Sequence, residues 1–321
     1  MRRAMRLALA MQQFELWLLL GAAVLVVVAA LGIAWQTRAV RAEQLACYRQ
    51  TPIAEEGDAF SPCHAHDPAL QALEAAAGFA KVGVIGVPIL IGVFLGAPIV
   101  ARELEGRTAH LTWSLSRSRL RWLVLRAAPP LAVVAVASVA VGIAGDVLTH
   151  SAPWVEGSDP DFEDWWSRGP QVAVRAVAAF GIALAVGALL GRQLPAVLVT
   201  AGATLALFMA AYFVLDGWMQ AAAEPVPIAP TTIVSGKIYG SGWRNDATGE
   251  LIDDVEADLA GIWDEDDLDE DGMPRGHTMY FLMVPSERYG EFVLREAALF
   301  ASAAGLTIVA SGWIVGRRRP T

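Results

Sequence analysis

Two scarcities limit what this sequence can encode. Its 321 residues include only two cysteines, and charged residues make up 18% of the chain. Two cysteines cannot supply a cysteine-rich zinc module or a disulfide-rich miniprotein. A basic excess is also lacking, because 33 acidic residues outnumber 24 Lys and Arg and leave a net charge of −9. This balance argues against a nucleic-acid-binding protein.

Apolar residues, in contrast, make up 55% of the chain and are concentrated in long uninterrupted runs. Runs of about 20 residues fit helices that cross a bilayer, whereas a barrel would need ten-residue alternations. We therefore predict an all-α membrane protein with six transmembrane helices. The predicted spans are Trp17–Trp35, Phe79–Val100, Trp122–Val147, Val172–Leu190, Pro195–Phe213 and Ala297–Val315.

Basic residues are divided unevenly among the segments that connect these spans. The four segments predicted to lie inside hold 12 Lys and Arg in 44 residues, and the three predicted outside hold 8 in 139. Positive residues favour the cytoplasmic side, so both termini of this multi-pass protein are predicted to be cytoplasmic. The inner segments are 1–13, 102–121, 191–195 and 316–321, and the outer ones are 36–78, 148–170 and 220–292.

The two cysteines, Cys47 and Cys63, fall in the same outer segment between the first two spans. An oxidising compartment favours a disulfide between them. A metal site that uses Cys63 with His64 and His66 is an alternative, although this spacing is not a recognisable zinc signature. Two free thiols are the remaining alternative.

The outer segment 220–292 is long and strongly acidic. It holds 16 acidic and 4 basic residues, a net charge of −12, and is predicted to be an extracytoplasmic insert between spans five and six. Within it, Asp267, Asp269 and Asp271 have the spacing of the first half of a calcium loop. Thr278 stands where the bidentate Glu would be expected, so the alternatives are a solvated acidic loop and weak calcium binding.

An energy source is not apparent in the predicted spans. Their middles carry no Asp, Glu, Lys, Arg or His, which disfavours an ion-coupled transporter. The chain also has no G-x-x-x-x-G-K-[ST] phosphate loop and is therefore not expected to be an enzyme that hydrolyses ATP. If the protein transports a compound, another polypeptide must supply the energy.

The inner segment after span two has the most distinctive pattern. It reads G-A-P-I-V-A-R-E-L-E-G-R-T from Gly96 to Thr108, and S-R-S-R-L-R-W from Ser116 to Trp122. Leu111 and Trp113 give the intervening piece an amphipathic character. It is either a simple positive-inside loop or a docking surface for a soluble partner.

This pattern resembles the membrane subunits of ABC-2 type transporters, especially the actinobacterial permeases. The stretches 189–196 and 284–296, the second of which ends at Glu296, are similar to further elements of that family. The resemblance implies a pore in which two permeases pair, as a homodimer or with a related chain. Each permease would dock one of two ABC ATPase subunits. The ATPase subunits would bind ATP and Mg²⁺, and this chain is not expected to bind either.

The resemblance also assigns roles to residues of the inner loop, 101–121. Those that the resemblance implies to contact the ATPase are Glu103, Glu105, Gly106 and Thr108. The apolar side chains in the same loop that can anchor this contact are Leu104, Leu111 and Trp113. Those expected to hold the loop at the membrane lipid are Arg117, Arg119 and Arg121. The expected domains are 1–219 with five spans and this coupling loop, the acidic region 220–292, and span six with its basic tail at 293–321.

The function that the resemblance implies is the permease subunit of an ABC-2 type transporter, a multi-pass protein of a bacterial plasma membrane. Apolar span interiors suit export of a hydrophobic or amphiphilic compound, although the family also exports glycans. The alternative is a membrane-anchored extracytoplasmic sensor or assembly factor that uses the acidic region. Recovery of a bound ATPase would separate the two.

Overall fold

The fold is dominated by six long helices. The computed structural model describes residues 13–50, 67–114, 118–151, 162, 164–227, 236–253 and 274–318. The helices are α1 (Gln13–Gln50), α2 (Asp67–Gly96), α3 (Pro98–Glu105), α4 (Ala109–Ser114), α5 (Arg119–Thr149), α6 (Gly169–Leu190), α7 (Gln193–Ala221) and α8 (Tyr289–Arg317). The strands are β1 (Glu224–Pro227), β2 (Gly236–Asn245), β3 (Leu251–Asp253) and β4 (His277–Pro285).

The predicted membrane architecture is confirmed. Six helical segments are long and apolar enough to cross a bilayer, and each contains one predicted span. Five of the spans lie within a single helix, while the second runs from α2 into α3 across a break at Ala97. The break has a local cause, because Pro98 has no N–H to donate back into α2 and instead begins a new helix.

The first of two compact units takes in residues up to Pro153, Trp166–Met209 and Arg295–Thr321. Helix α6 lies at its centre, with 72% of its most apolar stretch buried, against 22% for α1, α7 and α8. Its large apolar side chains, such as Phe180 and Leu184, pack with Ile91 and Leu95 of α2. The apolar faces left exposed on the outer helices fit a lipid solvent.

Glycines let α2 lie against the backbone of α6. A Cβ on Gly92 would stand 2.5 Å from the Ala176 carbonyl oxygen, and one on Gly96 would stand 2.7 Å from that of Phe180. These glycines form a G-x-x-x-G motif, whose close approach is common between membrane helices. The motif therefore packs α2 within its own chain.

We expect Gly92→Ala to lower the free energy of unfolding by about 1–3 kcal/mol, because its new methyl group meets backbone that cannot yield. Gly86→Ala is the matched control on the same helix, since no atom lies within 4 Å of its added Cβ. Thermal unfolding of both variants in detergent tests this. Equal melting temperatures for the two would contradict the close α2–α6 contact.

The second compact unit, which takes in 154–165 and 210–294, contains an antiparallel sheet that the sequence did not predict. Its strand order is β1-β4-β2-β3, and Trp243, Met283 and Val284 are buried in it. The strands β2 and β4 pair from Gly236↔Pro285 to Asn245↔His277, with an irregularity between Ile238 and Gly240.

That irregularity places Tyr239 outside the paired register, as a β-bulge does. The Tyr239 hydroxyl donates to Asp216 Oδ1 near the end of α7 at 3.0 Å, and Lys237 Nζ contacts the same oxygen at 2.5 Å. Burial is the largest cause that raises the pKa of Tyr239, and the hydrogen bond to Asp216 is the next. The hydroxyl therefore stays protonated and acts as a donor. The sheet is thereby fixed to the end of α7.

Candidate functional site

The segment between α2 and α5 forms an elbow, defined here as residues 98–114. Helix α3 ends at Glu105, and the N–H of the next residue, Gly106, donates to the Arg102 carbonyl oxygen at 2.9 Å. Arg107 then adopts a φ of 55°, a left-handed conformation that is uncommon outside glycine. The chain reverses sharply there, and α4 begins one residue after Thr108.

The Glu103 side chain braces this turn. Its Oε2 accepts from the Thr108 hydroxyl at 2.6 Å, and its Oε1 accepts from Arg126 Nη2 of α5 at 2.7 Å. The Glu103 residue is only 6% exposed, so its carboxylate is satisfied within the chain and faces away from solvent. A buried carboxylate in this position needs both partners, because an unpaired charge would be costly to bury.

Two further charged residues of α3 connect it to other long helices. Arg102 Nη2 donates to Glu15 Oε1 of α1 at 2.5 Å. Glu105 Oε2 accepts from the backbone N–H of Gln193, the first residue of α7, at 2.9 Å. An anionic oxygen at the start of a helix satisfies a free N–H and opposes the positive end of the helix dipole.

Trp113 is a support for the elbow within this chain. It is 6% exposed, and its ring meets that of Trp122 edge-on with centroids 6.0 Å apart. The Arg119 guanidinium lies 5.0 Å from the Trp113 ring centroid. In contrast, Leu111 of α4 is 62% exposed and presents an apolar side chain at the tip of the elbow.

The other residues predicted to act in this loop also differ in how far they are exposed. Leu104 is half-buried against the core, whereas Gly106 and Thr108 are exposed. Arg119 Nη1 donates to the Arg318 carbonyl oxygen at 2.7 Å, which joins the start of α5 to the residue that follows α8. Arg121 is exposed on the first turn of α5, and Arg117 lies outside the described residues.

The remaining predicted sites fall largely outside the described residues. Cys47 lies near the end of α1, but Cys63 is not described, so their pairing stays a prediction. The aspartates proposed for calcium, Asp267, Asp269 and Asp271, are not described either. In the described ranges, no group of three or more His, Cys, Asp or Glu side chains could hold a metal ion.

Sequence reasoning missed Arg126, the partner of Glu103. Arg126 lies four residues after Trp122 and seven residues after Arg119, which places it two turns into α5. A basic residue one turn inside the predicted apolar span that begins at Trp122, after a loop that contains Glu103 and Glu105, was the signal that could have identified it.

The six helices and the elbow define a multi-pass membrane protein whose second and third long helices are joined by a braced helical turn. The chain matches the family model described as ABC-2 membrane transporter related over residues 17–216. It belongs to this family, which confirms the predicted resemblance and makes it a permease component of an ABC transporter. Membership implies association with an ABC ATPase. No curated protein and no solved structure matches the chain.

We expect Glu103→Ala to loosen the elbow by about 1–3 kcal/mol, because it leaves Arg126 and Thr108 without their shared acceptor. Local opening would expose the backbone at Arg107, so trypsin in detergent should cleave there about 5 to 150 times faster. Glu74→Ala is the control, since Glu74 is an exposed carboxylate on α2, outside the elbow. Equal cleavage rates would refute a bracing role for Glu103.

Proposed function

We propose that this chain is the pore-forming subunit of an ATP-driven exporter in a bacterial plasma membrane, and that the elbow is where its ATPase docks. One observation carries this proposal. Three charged residues on the last turn of α3 contact three different long helices, α1, α5 and α7. A force applied to the elbow would therefore move all three helices together.

The exposed tip of the elbow supplies the docking surface in this proposal. Leu111 offers an apolar side chain, and the exposed residues 105–108 surround the turn with polar groups. A short helix seated in a groove of the partner is an established recognition mode, in which few apolar anchors supply most of the energy. Glu103 and Trp113 take a supporting role, because both are buried within the chain.

The proposed assembly has two ATPase copies, which hold the ATP and Mg²⁺, and two permeases, either identical or related. Exposed apolar side chains on the outer helices, such as Trp17, Phe79 and Phe213, support contact with lipid or a second permease. The substrate proposed is a hydrophobic or amphiphilic compound, since the long helices offer mainly apolar surface. Both termini are proposed to be cytoplasmic.

The first prediction of this proposal concerns Leu111. Truncating a central apolar anchor typically costs about 1–4 kcal/mol of binding, so Leu111→Ala should weaken capture of the ATPase by at least fivefold. The measurement is recovery of the co-expressed ATPase with the purified permease, together with ATP hydrolysis. Leu111→Met, which keeps the apolar volume, is the control and should bind like wild type.

Wild-type-like capture by Leu111→Ala would place the docking surface elsewhere. Failure of the wild-type chain to recover any ATPase would instead favour the sensor or assembly factor.

The second prediction concerns Glu105, whose carboxylate is exposed and contacts the start of α7. Glu105→Lys places a positive charge against the positive end of a helix and against any basic residue of the partner. We expect it to reduce transport-coupled ATP hydrolysis at least fivefold without loss of insertion into the membrane. Glu105→Gln keeps an acceptor oxygen and should retain most of the activity, and equal effects of the two variants would count against this role.

The third prediction concerns the cysteines. We propose that Cys47 and Cys63 form a disulfide, because both follow span one on the predicted outer side. Mass mapping of non-reduced peptides from native membranes should show the cross-link, and dithiothreitol should remove it. Alkylation of both thiols without prior reduction would exclude the bond. Weak calcium binding by the acidic region stays a prediction.

A further inference from the structure

A fully buried ion pair joins α6 to α8 at the ends of these helices away from the elbow. Arg175 and Glu296 are 2% and 0% exposed. Arg175 Nε donates to Glu296 Oε1 at 2.6 Å, and its Nη2 also contacts that oxygen. Arg175 lies six residues into α6 and Leu190 ends that helix next to the elbow, about 22 Å further along the axis.

The protein holds Arg175 in place from a second side. Its Nη1 donates to the Trp166 carbonyl oxygen, and its guanidinium lies 4.2 Å from the centroid of the Trp166 ring. Glu296, in contrast, is held at one oxygen, because no donor among the described residues reaches its Oε2. Arg175 is thus held by Trp166 as well as by Glu296. Glu296 is the member of the pair that can move away from its partner.

Such a pair is weak evidence for stability alone. Desolvation of two charges offsets most of their attraction, and well-packed apolar residues in their place are often as stable. Ionisable residues within membrane helices are instead typical of functional positions. The pair therefore calls for a role beyond packing.

The helix that Glu296 belongs to packs on the bundle with only 22% of its most apolar stretch buried. One other close contact joins it to α6, where Gly181 leaves room for Thr307 and Ala304. Phe300 adds an edge-on contact with Phe208 of α7, at 5.1 Å between centroids. At the elbow end of α6, Arg318, which follows α8, donates to the carbonyl oxygens of Ala188 and Leu189. At the other end of α6, the Arg175–Glu296 ion pair holds α8.

We infer that Arg175 and Glu296 are a positioning pair for transport: they hold α8 on α6 in the resting state, and their separation is a step of the transport cycle. This inference rests on the proposed function. Helix α6 links the pair to the elbow, since Gly187 near its other end packs against the Ala97 carbonyl oxygen, where a Cβ would stand only 2.5 Å away. Movement of the elbow is thereby passed along α6 to the pair.

The test compares single and double variants. Glu296→Gln should lower the melting temperature and raise basal ATP hydrolysis at least threefold in the reconstituted complex. The double variant Arg175→Met/Glu296→Met should recover most of the lost stability while transport stays at least fivefold below wild type. Recovery of transport together with stability would show that the pair is merely structural and would overturn the inference.

The matched control is Asp146→Asn. This variant makes the same carboxylate-to-amide change opposite an arginine. Arg168 Nε, at the start of α6, donates to Asp146 Oδ1 of α5 at 2.9 Å, so this ion pair joins the two helices. It should leave basal ATP hydrolysis within twofold of wild type. A rise equal to that of Glu296→Gln would overturn a specific role for the pair.

A second measurement needs no ATPase and so separates this inference from the proposed function. Thr307→Cys places a thiol on α8 against Gly181, and its maleimide labelling can be followed by mass spectrometry of that peptide. Labelling should be at least fivefold faster when Glu296→Gln or the double change is added. An unchanged rate would overturn the inference even in a chain that binds its ATPase. Faster labelling in a chain that recovers no ATPase would refute the proposed function alone.

Discussion

The close approach of α2 to α6 is the constraint on which the rest of the first unit depends. Gly92 and Gly96 bring the last two turns of α2 against the α6 backbone, at distances that no larger residue allows. The next residues are Ala97 and Pro98, where α2 ends and α3 begins. The elbow thus leaves the bundle at a place and in a direction that this contact decides.

From that point, the elbow is a junction of charged contacts. Arg102, Glu103 and Glu105 are close in sequence, and they project from α3 in different directions because successive helical residues are turned by about 100°. Each reaches a different long helix. Apolar packing alone would hold the elbow in place, but directed polar contacts also give each helix a defined point of attachment.

Helix α6 relates the two ends of the first unit. It is the most buried of the long helices, it contacts the base of the elbow through Gly187, and it carries Arg175 near its other end. A rigid central helix with attachments at both ends is a physical means by which an event at the elbow can affect α8. Within α6, the stretch from Ala176 to Leu190 that joins these two points is apolar and contains many small residues.

Hydropathy by itself determined the six helices, because a bilayer demands about 20 apolar residues for each crossing and backbone bonds made within the helix. The local pattern from Gly96 to Thr108 likewise identified the elbow and its family. Partners distant in sequence were beyond it: Glu103 is predicted from the sequence only as a contact for the ATPase, and the tertiary structure shows that Arg126 pairs with its carboxylate. Arg175 and Glu296 are 121 residues apart, so their pairing follows from where α6 and α8 meet. The sheet was missed because its strands are short and their hydrogen bonds join distant segments, which no local pattern reports.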